Sequence, residues 1–252
     1  MRYWALGLIV VITGAANAED KAAEVVKKGI EAHGGTDALN KYLGARYSIK
    51  GEVDVQGTDT EFTGNFSVMS PDKAHMTLSL EFMGVKIGIE SVMNGEKSKQ
   101  KIKVNGEDQA GREEPKEELQ MAIASRQAQM LTPLLDAKKF TIKSSDDEDV
   151  NGKRMSVVAA TPKTIDREMK LYFDKDSGLL VKVAHKGLGP DNGGSRADVY
   201  KETFLSDFKK FNGIQVATKM VLNHDNKKFM TATLSDYESL EKIDDSEFKL
   251  GD

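Results

Sequence analysis

Cysteine is absent from all 252 residues. That excludes disulfides, thiol catalysis and thiolate metal sites together. It also excludes a lipid attached to a cysteine behind an export signal. Histidine is scarce: His33, His75, His185 and His224 are the four. None has a second histidine at metal-ligand spacing, and no H-E-x-x-H occurs. They are expected as helix-end, strand or turn residues. A G-x-S-x-G elbow and a P-loop are missing as well. No concentrated basic patch accompanies the formal charge of −4, so no nucleic-acid partner is expected. Internal repeats and low-complexity tracts are also lacking.

What is present begins with an export signal. Arg2 gives a positive start, Tyr3 to Ile12 is an apolar run, and Ala16-Asn17-Ala18 is a small-x-small cleavage pattern. The run is shorter than the roughly 20 apolar residues of a membrane span. Residues 1–18 therefore read as a signal peptide, with cleavage near Ala18 and a periplasmic or secreted product. Only Arg2 among the charged residues is lost with it, which leaves 35 basic against 40 acidic residues and a charge of −5. No later segment is apolar enough to cross a membrane as a helix, so no stable membrane insertion is expected after cleavage. Residues 19–252 are expected to form a single domain.

That domain opens with a helix. Ala22, Val25, Val26, Gly29, Ile30 and His33 make one apolar stripe. Gly34-Gly35 ends it, and Thr36 or Asp37 is placed to cap a short second helix carrying Leu39, Tyr42 and Leu43. The period then falls from 3.6 to 2. Tyr47, Ile49, Val53 and Val55 alternate with mostly polar residues, as do Phe62, Phe66 and Val68. Met76, Leu78, Leu80 and Phe82 follow, then Val85, Ile87, Ile89 and Met93. Such alternation gives a sheet with one apolar face. Asn94-Gly95, Asn105-Gly106, Asn151-Gly152 and Asn212-Gly213 are hairpin turns, because both residue types tolerate positive φ.

A helical insertion interrupts the strands. Glu113-Glu114-Pro115 starts it. Leu119, Ala122, Ile123, Met130, Leu131, Leu134 and Leu135 supply an apolar face, and Thr132-Pro133 splits it into a longer and a shorter piece. Strands resume around 140–144, 154–160, 167–173, 179–186, 197–208, 214–222 and 228–237. The fold class is thus mainly β with a few helices. About eleven strands form a strongly curved antiparallel half-barrel, covered by the N-terminal helix and the insertion.

Two near-motifs fail on context. Gly187 to Gly194 resembles a phosphate loop, but a strand follows it rather than a helix N-terminus, so it reads as a hairpin loop. Asp147, Asp149, Asn151 and Gly152 match half a calcium loop, but its twelfth position is Val158, which cannot chelate. A polar hairpin explains them. No constellation points to catalysis, so a non-enzymatic protein without cofactor or metal is expected.

The distinctive feature is soft and apolar. Ten of the 11 methionines follow the signal. Met76, Met93, Met155, Met169, Met220 and Met230 lie within the apolar alternation. Methionine adapts to variable shapes, and a curved sheet offers a wide apolar face for a hydrophobic ligand.

With this architecture the sequence resembles the LolA-like superfamily of periplasmic lipoprotein carriers. Residues 30–39, running Ile-Glu-Ala-His-Gly-Gly-Thr-Asp-Ala-Leu, are similar to the start of many such proteins. Residues 66–73, with Ser70-Pro71-Asp72, resemble their strand-to-turn motif, and residues 92–97 a strand followed by an Asn-Gly turn. Residues 172–181, 206–216 and 243–248 resemble their C-terminal strands and ending. The chain departs at Ser70, where carriers typically have arginine, and at Ser98, Lys99 and Gln100, where they carry aromatics. The resemblance implies a half-barrel closed by helices over an apolar cavity that shields acyl chains. The expected partners are a lipid or lipidated protein and an envelope partner protein, with the chain itself a monomer. The expected lining is Met76, Leu78, Leu80, Ile87 and Ile89 from the sheet and Leu119, Ile123, Met130 and Leu131 from the helices. The alternative is a non-catalytic structural or interaction module of the cell envelope with a filled core.

Overall fold

A computed structural model describes residues 14–111, 113–190 and 196–250. The apolar run of the signal and residues 191–195 lie outside the described residues, whereas residues 187–190, expected in a hairpin loop, continue a strand because their backbone pairs with residues 196–199. Residues 14–18 begin the first helix.

Three helices and thirteen strands make up the described fold. Helix α1 (Gly14–Ala32) and α2 (Gly35–Lys41) lead into β1 (Gly44–Val55), β2 (Thr58–Met69), β3 (Lys73–Phe82), β4 (Val85–Asn94), β5 (Lys97–Val104) and β6 (Glu107–Gln109). Helix α3 (Lys116–Gln129) and a 3₁₀ turn (Thr132–Leu135) follow. Then come β7 (Phe140–Val150), β8 (Lys153–Pro162), β9 (Met169–Asp174), β10 (Leu180–Pro190), β11 (Arg196–Phe211), β12 (Ile214–His224) and β13 (Lys227–Leu240). All pair antiparallel in one open sheet, in the order β6-β5-β4-β3-β2-β1-β13-β12-β11-β10-β9-β8-β7.

Two-residue turns set this topology. Asn105-Gly106, Asn151-Gly152 and Asn212-Gly213 all have positive φ at both positions, as do Gln56-Gly57, Met83-Gly84 and Asp225-Asn226. That is the mirror-image turn whose twist matches the flanking strands. The Asn151-Gly152 turn closes the β7–β8 hairpin, and Asp147 and Asp149 near it both face the Arg154 guanidinium at 3.9 Å.

The second helix starts differently from expectation. Its N-cap is Gly34, at φ 122°, with no side-chain cap bond, and Thr36 and Asp37 lie inside the helix. Two successive glycines with positive φ, Gly34 and Gly35, turn the chain so sharply that the helix begins before either polar residue.

Curvature follows from one helix touching both arms of the sheet. From β5 to β10 there are eight strand steps, about 38 Å if the sheet were flat at ~4.8 Å per step. Yet Lys116 and Gln120 of α3 reach Glu96 in the β4–β5 turn, at 3.1 Å each. Glu118, on the same turn of helix, accepts from the Leu188 backbone of β10 at 3.0 Å and pairs with Arg167 at 2.6 Å. A helix is only about 10–12 Å across, so the sheet must curl around it. At Gly51 strands β1 and β13 approach closely. A Cβ there would stand 1.8 Å from the Thr231 carbonyl oxygen, so only glycine fits.

The main core lies under the helices. Ala22, Val26 and Ile30 of α1 pack with Val158, Leu171 and Val183 of the sheet. Phe173 occupies the place where Gly29 would carry its Cβ, at 2.7 Å, letting α1 sit close. Helix α3 adds Met121, Ala124 and Ala128, a second stripe beside Leu119 and Ile123. Thr132-Pro133 does split the insertion, but Leu135 at its end is 39% exposed.

Candidate functional site

The apolar alternation of β1 to β5 forms one continuous face. Phe62 pairs with Leu80, Gly64 with Leu78 and Phe66 with Met76. Leu78 then opposes Ile89, and Leu80 opposes Ile87. The five sheet residues expected to line a cavity therefore lie together on neighbouring strands. All five are partly exposed. Ile102 and Val104 of β5 extend the strip, opposite Ile89 and Ile87. Val53, Met220, Met230 and Leu234 flank it on the other side, around the buried Ile49, Phe62 and Ala232.

The four helical residues divide. Leu119 is buried against Ala74 and Met93, with Ile123 beside it, so α3 closes the Met93 end of the strip. Leu131 is fully buried in the core under α1 and does not face the strip. Met130, partly exposed, forms the C-cap of α3. The methionines also divide. Met169 is core, and Met155 is buried in a separate cluster with Tyr172 and Ala184. Alternation alone does not separate a face that helices cover from one they leave open.

Polar chemistry enters at the Met93 end. Arg126 of α3 directs its guanidinium onto Met93 Sδ, 3.5 Å away. Burial lowers the Arg126 pKa, opposed by the Tyr47 hydroxyl and the Asp72 carboxylate. Tyr47 is pushed up to about 12 by burial, against the pull of Arg126, so it stays a hydrogen-bond donor at neutral pH. Its ring stacks on Phe66 at 5.1 Å and on Tyr237 at 5.9 Å, and Tyr237 meets Phe211 at 4.8 Å. This aromatic row crosses the sheet, and its Tyr47 end lies within the electrostatic reach of the arginine. The sequence contains Tyr47 and Phe66 in its alternation, but nothing in it foretells that Arg126 turns inward.

The opposite face is polar. A broad groove of about 1150 Å³ runs there over Lys50, Thr63, Ser79 and Gly88. Its lysines and glutamates are mixed in sign, and its floor is hydroxyl-rich.

The histidines are scattered. His33 is buried, donates from Nδ1 to the Gly29 carbonyl at 2.9 Å and meets Phe208 edge-on. His75 faces Glu90 at 3.0 Å, His185 binds the Lys186 carbonyl, and His224 stacks on Phe229. Among the described residues no group of three or more His, Asp or Glu is arranged to hold a metal ion. No helix among them is long and apolar enough to cross a membrane.

An open, curled antiparallel sheet with helices on its apolar face is the architecture of LolA-like proteins, and solved structures agree. The chain is similar to a LolA superfamily protein from Nitrosomonas europaea, at 9% identity and a TM-score of 0.53, covering 90% of this chain and 97% of that one. A DUF1329 family protein from Desulfovibrio piger matches at 14% identity and a TM-score of 0.52, over 91% and 97% of the two chains. A domain named for outer membrane lipoprotein sorting, from Vibrio parahaemolyticus, matches at 12% identity and a TM-score of 0.50, again over 91% and 97%. No family model and no curated protein matches the sequence. At these identities the likeness establishes a LolA-like fold, and function must be argued from the site.

Proposed function

We propose that this chain is an exported, non-enzymatic binding protein that shields an acyl chain of a lipid or lipidated protein on the open apolar strip. The observation that carries this reading is the partial exposure of Met76, Leu78, Leu80, Ile87 and Ile89 on adjoining strands. A domain of this size has ample core elsewhere, so a contiguous apolar strip left without a covering helix points to a ligand. The strip is long enough. Ile87 to Met93 spans six residue-to-residue steps of β4, about 20 Å at ~3.3 Å per step, against about 15 Å for one leaflet of a ~30 Å hydrocarbon core. Burying chain there is worth roughly 0.8 kcal/mol per CH₂. Carriage or sorting of lipoproteins between membranes is the finer form of this reading, supported by the fold shared with a domain named for lipoprotein sorting. Export after loss of residues 1–18 would place it in the periplasm or outside the cell.

The test is direct. Protein purified from a membrane-containing host should show lipid adducts by native mass spectrometry and should bind a fluorescent fatty acid. A bare protein mass together with no probe binding would remove the reading. The solid core beneath α1 favours a second one, a non-catalytic interaction module of the envelope, and that same negative result would select it.

A further inference from the structure

The inward arginine has no conventional partner. Among the described residues no ion pair joins Arg126 to a carboxylate, and its recorded contact is the Met93 thioether, a weak acceptor. Asp72, in the β2–β3 turn, acts on it only through its longer-range charge. A guanidinium carries five donors, and the only protein acceptor it meets here among the described residues is a thioether. The same residue stands where the apolar strip ends. Met93 is two residues beyond Ser91 and four beyond Ile89 on β4, with side chains on one face. Tyr47, within the electrostatic reach of Arg126, adds a hydroxyl donor at the same end.

We propose that the strip takes a single-chain amphiphile with an anionic head, the head held by the Arg126 guanidinium and the chain laid from Met76 towards Leu80 and Ile87. This rests on the acyl-binding reading above and adds to it the charge and orientation of the ligand. A carboxylate or a phosphate monoester fits the guanidinium fork equally, since both offer paired oxygens. A neutral head would leave the arginine as unmatched as it is now.

The experiment is competition against Nile red, a neutral dye, by oleate, by oleoyl lysophosphatidate and by oleyl alcohol, all below their aggregation concentrations at pH 8. In the wild-type chain the anionic lipids should displace dye at concentrations about tenfold or more below the alcohol, the size of one charge-assisted hydrogen bond. Arg126→Met keeps a long, helix-compatible side chain and should bring the three lipids level while dye binding persists. Whichever anionic lipid leads in the wild type identifies the head group as carboxylate or phosphate. If all three lipids displace dye equally in the wild type, the anionic-head inference is wrong and the acyl-binding reading stands. If none displaces dye, both are wrong. Should Arg126→Met fail to fold by circular dichroism, Arg126→Lys carries the test. Its preference should fall several-fold because an ammonium lacks the fork, and an unchanged preference would contradict a guanidinium contact.

Discussion

The two arms of the sheet share one apolar alternation and use it in opposite ways. On β7 to β10, helix α1 and the buried stripe of α3 cover the face together, so Val158, Met169 and Leu171 have no exposure at all. On β3 to β5 helix α3 reaches only the Met93 end, through Leu119, Ile123 and Arg126, and Met76, Leu78, Leu80, Ile87 and Ile89 stay partly exposed. The difference does not lie in the strands. It lies in where the helices are attached. Helix α1 joins the sheet through the α1–α2 corner, where the His33 carbonyl accepts from Gln215 at 3.0 Å. Helix α3 is pinned by Glu118 and Arg167 on one side and Glu96 on the other, spanning the sheet rather than lying along it. A sealed face gives stability, and an open one of the same composition is where the proposed ligand would lie.

That contrast can be broken most severely from the sealed side. Leu171→Ala removes a side chain with no exposure and should cost about 2–5 kcal/mol in urea unfolding, whereas Leu78→Ala on the open side should cost under about 1.5 kcal/mol and weaken fatty-acid binding instead. Equal losses would mean that the two arms are packed alike. Where β1 passes the Thr231 backbone, Gly51→Val should destabilise by about 2–4 kcal/mol, since its Cβ would strike backbone rather than a side chain that can yield.

Acid sharpens the comparison further. Asp174 closes β9 in the sealed arm. Burial works to raise its pKa, but Lys153 at 2.5 Å and the backbone and hydroxyl of Ser177 more than offset this and hold it at about 2. The folded value lies below the unfolded one of about 3.9. The stabilisation is therefore complete above pH ~4 and lost as pH falls towards 2. Asp174→Asn should remove about 1–2 kcal/mol at pH 7 and flatten the stability profile across that window. An unchanged profile would show that Asp174 is not the responsible acid. The smallest effect belongs to the open arm's tip. Met83, 84% exposed and at φ 51°, is replaced favourably by asparagine in such a turn, so Met83→Asn should stay within about 0.5 kcal/mol, on the stabilising side.

The half-barrel was legible in the sequence because period-2 alternation and Asn-Gly turns are local signals. Strand β5 was missed because lysines fill most of it, with only Ile102 and Val104 alternating, and β6 because Glu107 to Gln109 are all exposed. Those two account for the thirteen strands found against about eleven expected. Gln56-Gly57 and Met83-Gly84 form the same turns as the Asn-Gly pairs without the asparagine that marks them. The five sheet residues of the candidate strip could be named because register follows from alternation. Leu131 could not be assigned, since its place depends on how the chain turns after α3, where it adopts φ 63°. Arg126 was invisible for a similar reason. Whether a helical arginine points into solvent or over a sheet is decided by where the whole helix docks.

On the acyl-binding reading, ligand lies on the open arm and not on the sealed one. The single tryptophan, Trp4, lies within residues 1–18, so residues 19–252 are a tryptophan-free background on which one reporter can be placed at will. Tryptophan at Leu78 should be quenched by a brominated fatty acid, and tryptophan at Phe140, buried in the sealed core, should not. Quenching at position 140 alone, or at neither position, would contradict the account.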